Sequence, residues 1–154
     1  KEPILVRKDI RGFITNRLMY AMYREAFHLV ENGYATVEDI DRACRNNAGY
    51  FMTFVGVFRW MDLTGVPAYR TVMKDMFPTL NNSTEVPKLI NDIVEAGGKG
   101  VSNAHGFYEY TPEEAKLWEE TFKKFSYEIR EIALRYPADV VKKTLQKQQE
   151  DAEN

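Results

Sequence analysis

The sequence predicts an all-α domain of about five helices, and three observations carry that prediction. Apolar residues recur every three or four positions over long stretches, helix start and stop signals punctuate the chain, and strand-like alternation is almost absent. Length sets the scale: 154 residues, 44% of them hydrophobic, suit one domain with one core.

Residues 1–11 read as an extended lead-in, in which Ile4-Leu5-Val6 could form a short strand. Gly12 to Asn32 reads as one long helix closed by Gly33, since glycine suits a left-handed cap. Arg17, Arg24, His28 and Glu31 share its polar stripe; Asn16, Tyr20, Tyr23, Phe27 and Val30 share the stripe predicted to be buried. Thr36 to Asp39 has the form of a capping box and opens a second helix to about Arg45, ended by Asn46-Asn47-Ala48-Gly49. Residues 50–64 form an apolar, aromatic run broken by Gly56. Gly65-Val66-Pro67 starts a helix through about Phe77, stopped by Pro78. Ser83 or Thr84 can cap the next helix, with Pro87 in its first turn and Ala96-Gly97-Gly98 at its end.

A glycine-punctuated loop follows to Tyr110. Thr111-Pro112-Glu113-Glu114 is the strongest start signal in the chain, with a cap, a proline in first position and a reciprocating glutamate. The helix it opens carries Trp118, Phe122, Phe125, Ile129, Ile132 and Tyr136 on one stripe and ends at Pro137. At 1.5 Å per residue it is roughly 37 Å long. Glu119–Lys123, Glu120–Lys124 and Glu131–Arg135 would support its exposed face. The domain reading is therefore a helical unit over 12–141 and a polar, frayed tail over 142–154.

Composition excludes several function classes. A net charge of −2 with scattered Lys and Arg lacks the electrostatic footprint of a nucleic-acid binder. No apolar run approaches the roughly 20 residues that span a bilayer. Cys44 is the one cysteine, so no internal disulfide can form, which fits a reducing compartment and a cytoplasmic expectation. The start at Lys1 has no signal-peptide pattern and suggests a processed product or fragment. The overlapping sequons in Asn81-Asn82-Ser83-Thr84 are read as accidental.

Little chemistry is visible. None of the glycines builds a dinucleotide-binding triplet on a strand–helix unit. Gly97-Gly98-Lys99-Gly100 could cradle a phosphate through its amides, but reads first as a helix-ending turn. His28 reads as solvated, His105 lies in the glycine loop, and no metal-ligand spacing occurs. On residues alone the chain is not a complete enzyme. Asn16 is either a satisfied core amide or an amide placed to orient a ligand. The surplus of aromatic residues over 50–61 and on the last helix serves either a core or an interface with a partner subunit or an acyl chain.

The run Lys8-Asp9-Ile10-Arg11-Gly12-Phe13-Ile14-Thr15-Asn16-Arg17-Leu18 resembles the start of the C-terminal domain of 3-hydroxyacyl-CoA dehydrogenases. The resemblance continues through Glu25-Ala26, Gly33, Ala35-Thr36, Glu38 to Asp41, Ala43 and Gly49-Tyr50. It resumes at Asp62-Leu63-Thr64-Gly65 and closes with Gly106-Phe107-Tyr108-Glu109-Tyr110. It implies a helical dimerisation domain of the 6-phosphogluconate-dehydrogenase C-terminal type. It also implies a missing N-terminal Rossmann domain that binds NAD and supplies a catalytic histidine–glutamate pair. The intact enzyme would oxidise (S)-3-hydroxyacyl-CoA to 3-oxoacyl-CoA in fatty-acid metabolism. This chain would form a cleft wall and a homodimer and would be inactive alone, binding neither cofactor nor metal itself. Asn16 matches the family's active-site asparagine and is the one catalytic candidate.

Three departures stand out. Arg11 replaces a proline before Gly12. The glycine after Tyr50 comes about three residues late, at Gly56, a spacing more like the lambda-crystallin and gulonate-dehydrogenase branch, which oxidises free hydroxy acids. The basic loop of the family reads Gly100-Val-Ser-Asn-Ala-His105-Gly106, without its cations. A free hydroxy-acid dehydrogenase and a stand-alone helical scaffold are the alternatives.

Overall fold

The helix signals translate into eight α-helices in the computed structural model, which describes residues 3–153. They are α1 (Thr15–Glu31), α2 (Val37–Ala43), α3 (Gly49–Phe54), α4 (Val57–Thr64), α5 (Val66–Met76), α6 (Lys88–Glu95), α7 (Pro112–Arg135) and α8 (Val140–Glu153). One π-helical turn spans Cys44–Ala48, and short 3-10 turns span Phe77–Thr79 and Val101–Asn103. The all-α class is as the periodicity predicts. The possible strand at Ile4-Leu5-Val6 is coil, and the lead-in's Lys1 and Glu2 fall outside the described residues. Among the described residues the only β-type pairing is two isolated bridges inside the glycine loop.

Local chemistry explains most boundaries. α1 begins three residues later than the periodicity suggests, because Gly12 (φ +82°) and Phe13 (φ +50°) take left-handed conformations that cannot start a helix. Thr36 caps α2 by accepting from the Asp39 N–H at 3.1 Å, but its hydroxyl returns to the Asp39 carboxylate, so the reciprocal half of a capping box is missing. Asn46 to Gly49 do not end a helix. They widen it into the π turn that joins α2 to α3. Gly56 splits the aromatic run into α3 and α4, and the Phe51 and Trp60 rings stack across the break at 4.6 Å and 7°. Gly65 (φ +106°) turns α4 into α5, where Pro67 occupies a first-turn position.

α6 corrects the capping expectation. Ser83 bonds the Glu85 N–H and Asn81 bonds the Ser83 N–H, so this stretch makes local turns and starts no helix. α6 begins at Lys88, and its Leu89 N–H is satisfied from a distant element, by the Glu31 carboxylate at 2.8 Å. Glu25 likewise accepts from the Asn81 N–H at 2.8 Å. Together these carboxylates fix α1 to the segment leading into α6. α7 has the complete reciprocal capping box at Thr111 and Glu114. Its ion pairs run Lys116–Glu120 and Lys124–Glu128, at 3.9 and 3.8 Å, in place of the predicted glutamate-first pairs. After Pro137 the polar tail is helical as α8, not frayed, with Lys143 paired to Asp139 at 3.1 Å; Asn154 falls outside the described residues.

The stripes do not close into a core. Among the described residues Ala115 alone is buried, and the chain exposes 13557 Å². A folded monomer of 17.9 kDa exposes about 8,000 Å². The predicted buried stripe of α1 is only partly covered: Phe27 and Val30 are half-buried, whereas Asn16 and Tyr20 (69%) are exposed. α1 packs on α2 and α6, α4 on α5, and α7 touches the Val101–Asn103 turn at one end and α3 at the other.

Candidate functional site

Asn16 is positioned by the turn that precedes it. Ile10 accepts from the Phe13 N–H at 3.0 Å, and Gly12 and Phe13 swing the chain back so that Gly12 lies over the first turn of α1. A Cβ added to Gly12 would stand 3.6 Å from Arg17 Cγ and 3.7 Å from Asn16 Cβ. The left-handed conformation of Phe13 costs about 1–2 kcal/mol for a side-chain-bearing residue, and the Phe13 ring stands 60% exposed. The Asn16 side-chain amide is exposed and has no hydrogen-bond partner among the described residues. The first of the two sequence-based alternatives, a satisfied core amide, therefore does not hold. An asparagine amide offers two donor hydrogens and one acceptor oxygen, so it can orient a hydroxyl or carbonyl.

The glycine loop is a separate, internally satisfied unit. The Lys99 and Gly100 N–H groups both donate to the His105 carbonyl, at 3.0 and 2.8 Å, and the His105 N–H returns to Gly100 at 3.2 Å. Asn103 holds the loop from within, accepting from the Lys99 N–H at 2.8 Å and donating to the Gly97 carbonyl at 2.9 Å. Gly97 and Gly98 donate to the end of α6. All four amides of Gly97 to Gly100 are thus engaged, and the segment is the helix-ending turn that the sequence suggests first, not a phosphate cradle. Nor does any strand–turn–helix unit exist among the described residues to hold a dinucleotide.

Two features of this loop were not visible in the sequence. His105 Nδ1 lies 2.7 Å from Glu109 Oε1, a pair four residues apart but outside any helix. The Tyr108 hydroxyl donates to Asp41 of α2 at 2.8 Å, a staple across 67 residues that no local pattern announces. Partial burial and the Asp41 carboxylate push the Tyr108 hydroxyl up to about 12, since both disfavour its anion. Phe107 rests against Phe27, with ring centroids 5.7 Å apart, so the loop docks on the C-terminal half of α1. Eleven residues of helix, about 16 Å, separate Phe27 from Asn16. The structure therefore does not bring the loop and Asn16 together. His28, read as solvated, is half-buried; its Nδ1 lies 3.1 Å from Asn32 Nδ2.

Comparison with known proteins adds a family. Residues 12–110 match the family described as 3-hydroxyacyl-CoA dehydrogenase, C-terminal domain. The chain is 33% identical over 114 residues to 5-formyl-3-hydroxy-2-methylpyridine 4-carboxylate 5-dehydrogenase of Mesorhizobium japonicum, which covers 74% of this chain and 37% of that protein. It is 37% identical over 108 residues to L-carnitine dehydrogenase of Burkholderia mallei, covering 68% and 34%. A Caenorhabditis elegans protein named "probable 3-hydroxyacyl-CoA dehydrogenase" is 38% identical over 106 residues, covering 67% and 33%. Among solved structures, an NAD+-dependent dismutase described as a 5-formyl-3-hydroxy-2-methylpyridine 4-carboxylic acid 5-dehydrogenase superposes with a TM-score of 0.83 at 30% identity, covering 88% of this chain and 44% of that one. The chain spans about a third of the length of the curated relatives it matches.

Proposed function

The chain belongs to the 3-hydroxyacyl-CoA dehydrogenase family through its C-terminal domain, and on that premise we propose that it works as the substrate-cleft wall and homodimer-forming domain of an NAD-dependent dehydrogenase. The reaction read first is oxidation of (S)-3-hydroxyacyl-CoA to 3-oxoacyl-CoA. The observation that carries the reading is Asn16. It is an unengaged amide behind a left-handed turn, in the family-matching run from Gly12 to Leu18. Its Nδ2 would donate to the substrate oxygen, a bond that strengthens as that oxygen gives its proton to a base outside this chain and takes on negative charge while hydride leaves the carbon. NAD, when bound, supplies the hydride acceptor. It would be held by residues outside this chain, because the glycine amides here are spent within their own loop. This domain alone would turn over no substrate.

A second reading is a CoA-free hydroxy acid. It is favoured by the Gly100 to Gly106 loop, which offers no lysine or arginine to a CoA phosphate. Two of the relatives above also carry names without a CoA thioester. The test is NADH formation by the intact protein on a panel of 3-hydroxyacyl-CoA thioesters and the corresponding free acids. Turnover of thioesters alone supports the first reading and turnover of free acids alone the second. No NADH from either class would overturn the dehydrogenase assignment.

A further inference from the structure

Tyr20 stands at the seam of the two stripes of α1, and four side chains surround it. Asn16 and Tyr23 lie four residues before it and three after, on the stripe of the candidate amide. Arg17 and Arg24 lie three before and four after, on the polar stripe. Residues three and four apart on a helix are neighbours, with Cβ atoms about 5–6 Å apart. All five side chains are exposed, Tyr20 at 69%. The Tyr20 and Tyr23 rings meet edge to face at 5.6 Å and 73°, an arrangement that leaves aromatic surface open beside Asn16.

The polar ends of these side chains are unused. The Asn16 amide, the two guanidinium groups and the two phenol hydroxyls have no hydrogen bond or ion pair among the described residues. Arg24 meets Asn81 through its backbone carbonyl, which accepts from Asn81 Nδ2 at 3.4 Å and leaves the guanidinium unengaged. Nor does a nearby acid neutralise the patch. From Ile10 to Arg24 the chain has no acidic residue. The acids farther along α1 are spent elsewhere, Glu25 on the Asn81 N–H and Glu31 on the Leu89 N–H, both at 2.8 Å. Two unneutralised cations thus flank an aromatic floor. That combination suits an anion with an apolar body: a guanidinium takes a carboxylate with paired N–H donors, and the ring covers carbon.

Distance selects the anion. Tyr20 is one helix turn from Asn16, about 6 Å. In a small hydroxy acid the carboxylate lies within that distance of the hydroxyl. The phosphates of a CoA thioester stand at the far end of the pantetheine arm, well beyond one helix turn, and the thioester itself has no charge for a guanidinium to meet. We propose that Arg17 and Arg24 bind the carboxylate of a small, CoA-free hydroxy acid over the Tyr20 ring, while Asn16 holds the hydroxyl that is oxidised. The assignment rests on the placing of Asn16 in the substrate cleft, proposed above, and adds the residues that select the substrate class.

The test uses the intact protein and NADH formation on matched substrates: a 3-hydroxy acid, its uncharged methyl ester and its CoA thioester. The parent prefers the acid to the ester by at least about tenfold in kcat/KM. Arg24→Met, an exposed change that keeps helix propensity, raises KM for the acid at least about tenfold and leaves kcat/KM for the ester within about threefold. Arg17→Met does the same. Arg24→Lys recovers part of the loss, since it restores the charge without the planar fork. The ester is the internal control, because damage to the fold would lower both substrates together. Arginine variants that lower acid and ester alike, or a parent that uses the ester or the thioester as well as the acid, overturn the carboxylate assignment and leave the cleft reading of Asn16 standing. No NADH from any of the three overturns the cleft reading itself.

Discussion

Gly106→Ala probes a point where two stretches of backbone approach closely. A Cβ at Gly106 would lie 2.8 Å from Gly100 Cα and 3.4 Å from Gly100 N, both backbone atoms. Carbon atoms rest at about 3.5–4.0 Å, so the two strands of the loop must open by roughly 0.7 Å or more. That opening stretches the 2.8, 3.0 and 3.2 Å bonds between Lys99, Gly100 and His105 to or past hydrogen-bonding distance. Overpacking costs about 1–3 kcal/mol and each lost bond about 1. Because the loop is half exposed, water recovers part of this, and the expected loss is about 2 kcal/mol. Gly33→Ala is the comparator. Nothing lies within 4 Å of its added Cβ, so only the left-handed φ of +73° is penalised, at about 1 kcal/mol. Urea unfolding at one fixed protein concentration measures both, since an associating chain has concentration-dependent stability. Thermal scans should show about 2–4 °C per kcal/mol. A Gly106→Ala variant no less stable than Gly33→Ala would refute the close-approach argument.

Further outcomes follow from the α7 start and the α2 staple. Thr111→Ala removes the acceptor for the Glu114 N–H, and should cost about 1 kcal/mol in the same unfolding experiment, with Thr111→Ser nearly neutral. Tyr108 keeps its proton in the folded state up to about 12 but loses it near 10 when unfolded. Between those values the folded state binds more protons than the unfolded one, so stability falls as pH rises through that window and its contribution is fully present below pH 10. Tyr108→Phe should therefore lose less stability than the parent between pH 10 and 12. An identical pH slope in the two proteins would remove the staple from the account.

The sequence carried the fold class, the C-terminal end of α1 and both ends of α5 and α7, because glycine, proline and capping chemistry act over four residues. The Thr111 box and the stop at Pro137 needed no tertiary context. The start of α6 escaped local reading because its cap is Glu31, 58 residues away, and Ser83 competes by bonding its own turn. The π turn at Cys44–Ala48 escaped because Asn and Gly signal a helix end, whereas the widened helix continues through them. Periodicity identified the apolar stripes but not what covers them: Tyr20 lies on the face predicted to be buried, and Trp118 and Phe122 on the stripe read as core or interface, yet all three stand open in the single chain. Asn16 stood out in the sequence as a polar residue on a face predicted to be buried, and the family resemblance alone turned it into the preferred site candidate. The His105–Glu109 and Tyr108–Asp41 contacts depend on loop geometry that no period encodes.

Asn16→Ala in the intact protein is the most direct test of the role proposed for this domain. In the single chain Asn16 is exposed and its amide has no hydrogen-bond partner among the described residues, so its removal should leave the unfolding curve of this domain unchanged. If its amide supports the oxygen under oxidation, kcat/KM falls at least about tenfold, or ~1.4 kcal/mol of transition-state stabilisation, with most of the loss in kcat. Unchanged kinetics in a folded Asn16→Ala protein would contradict the proposed assignment of this helix start to the substrate cleft.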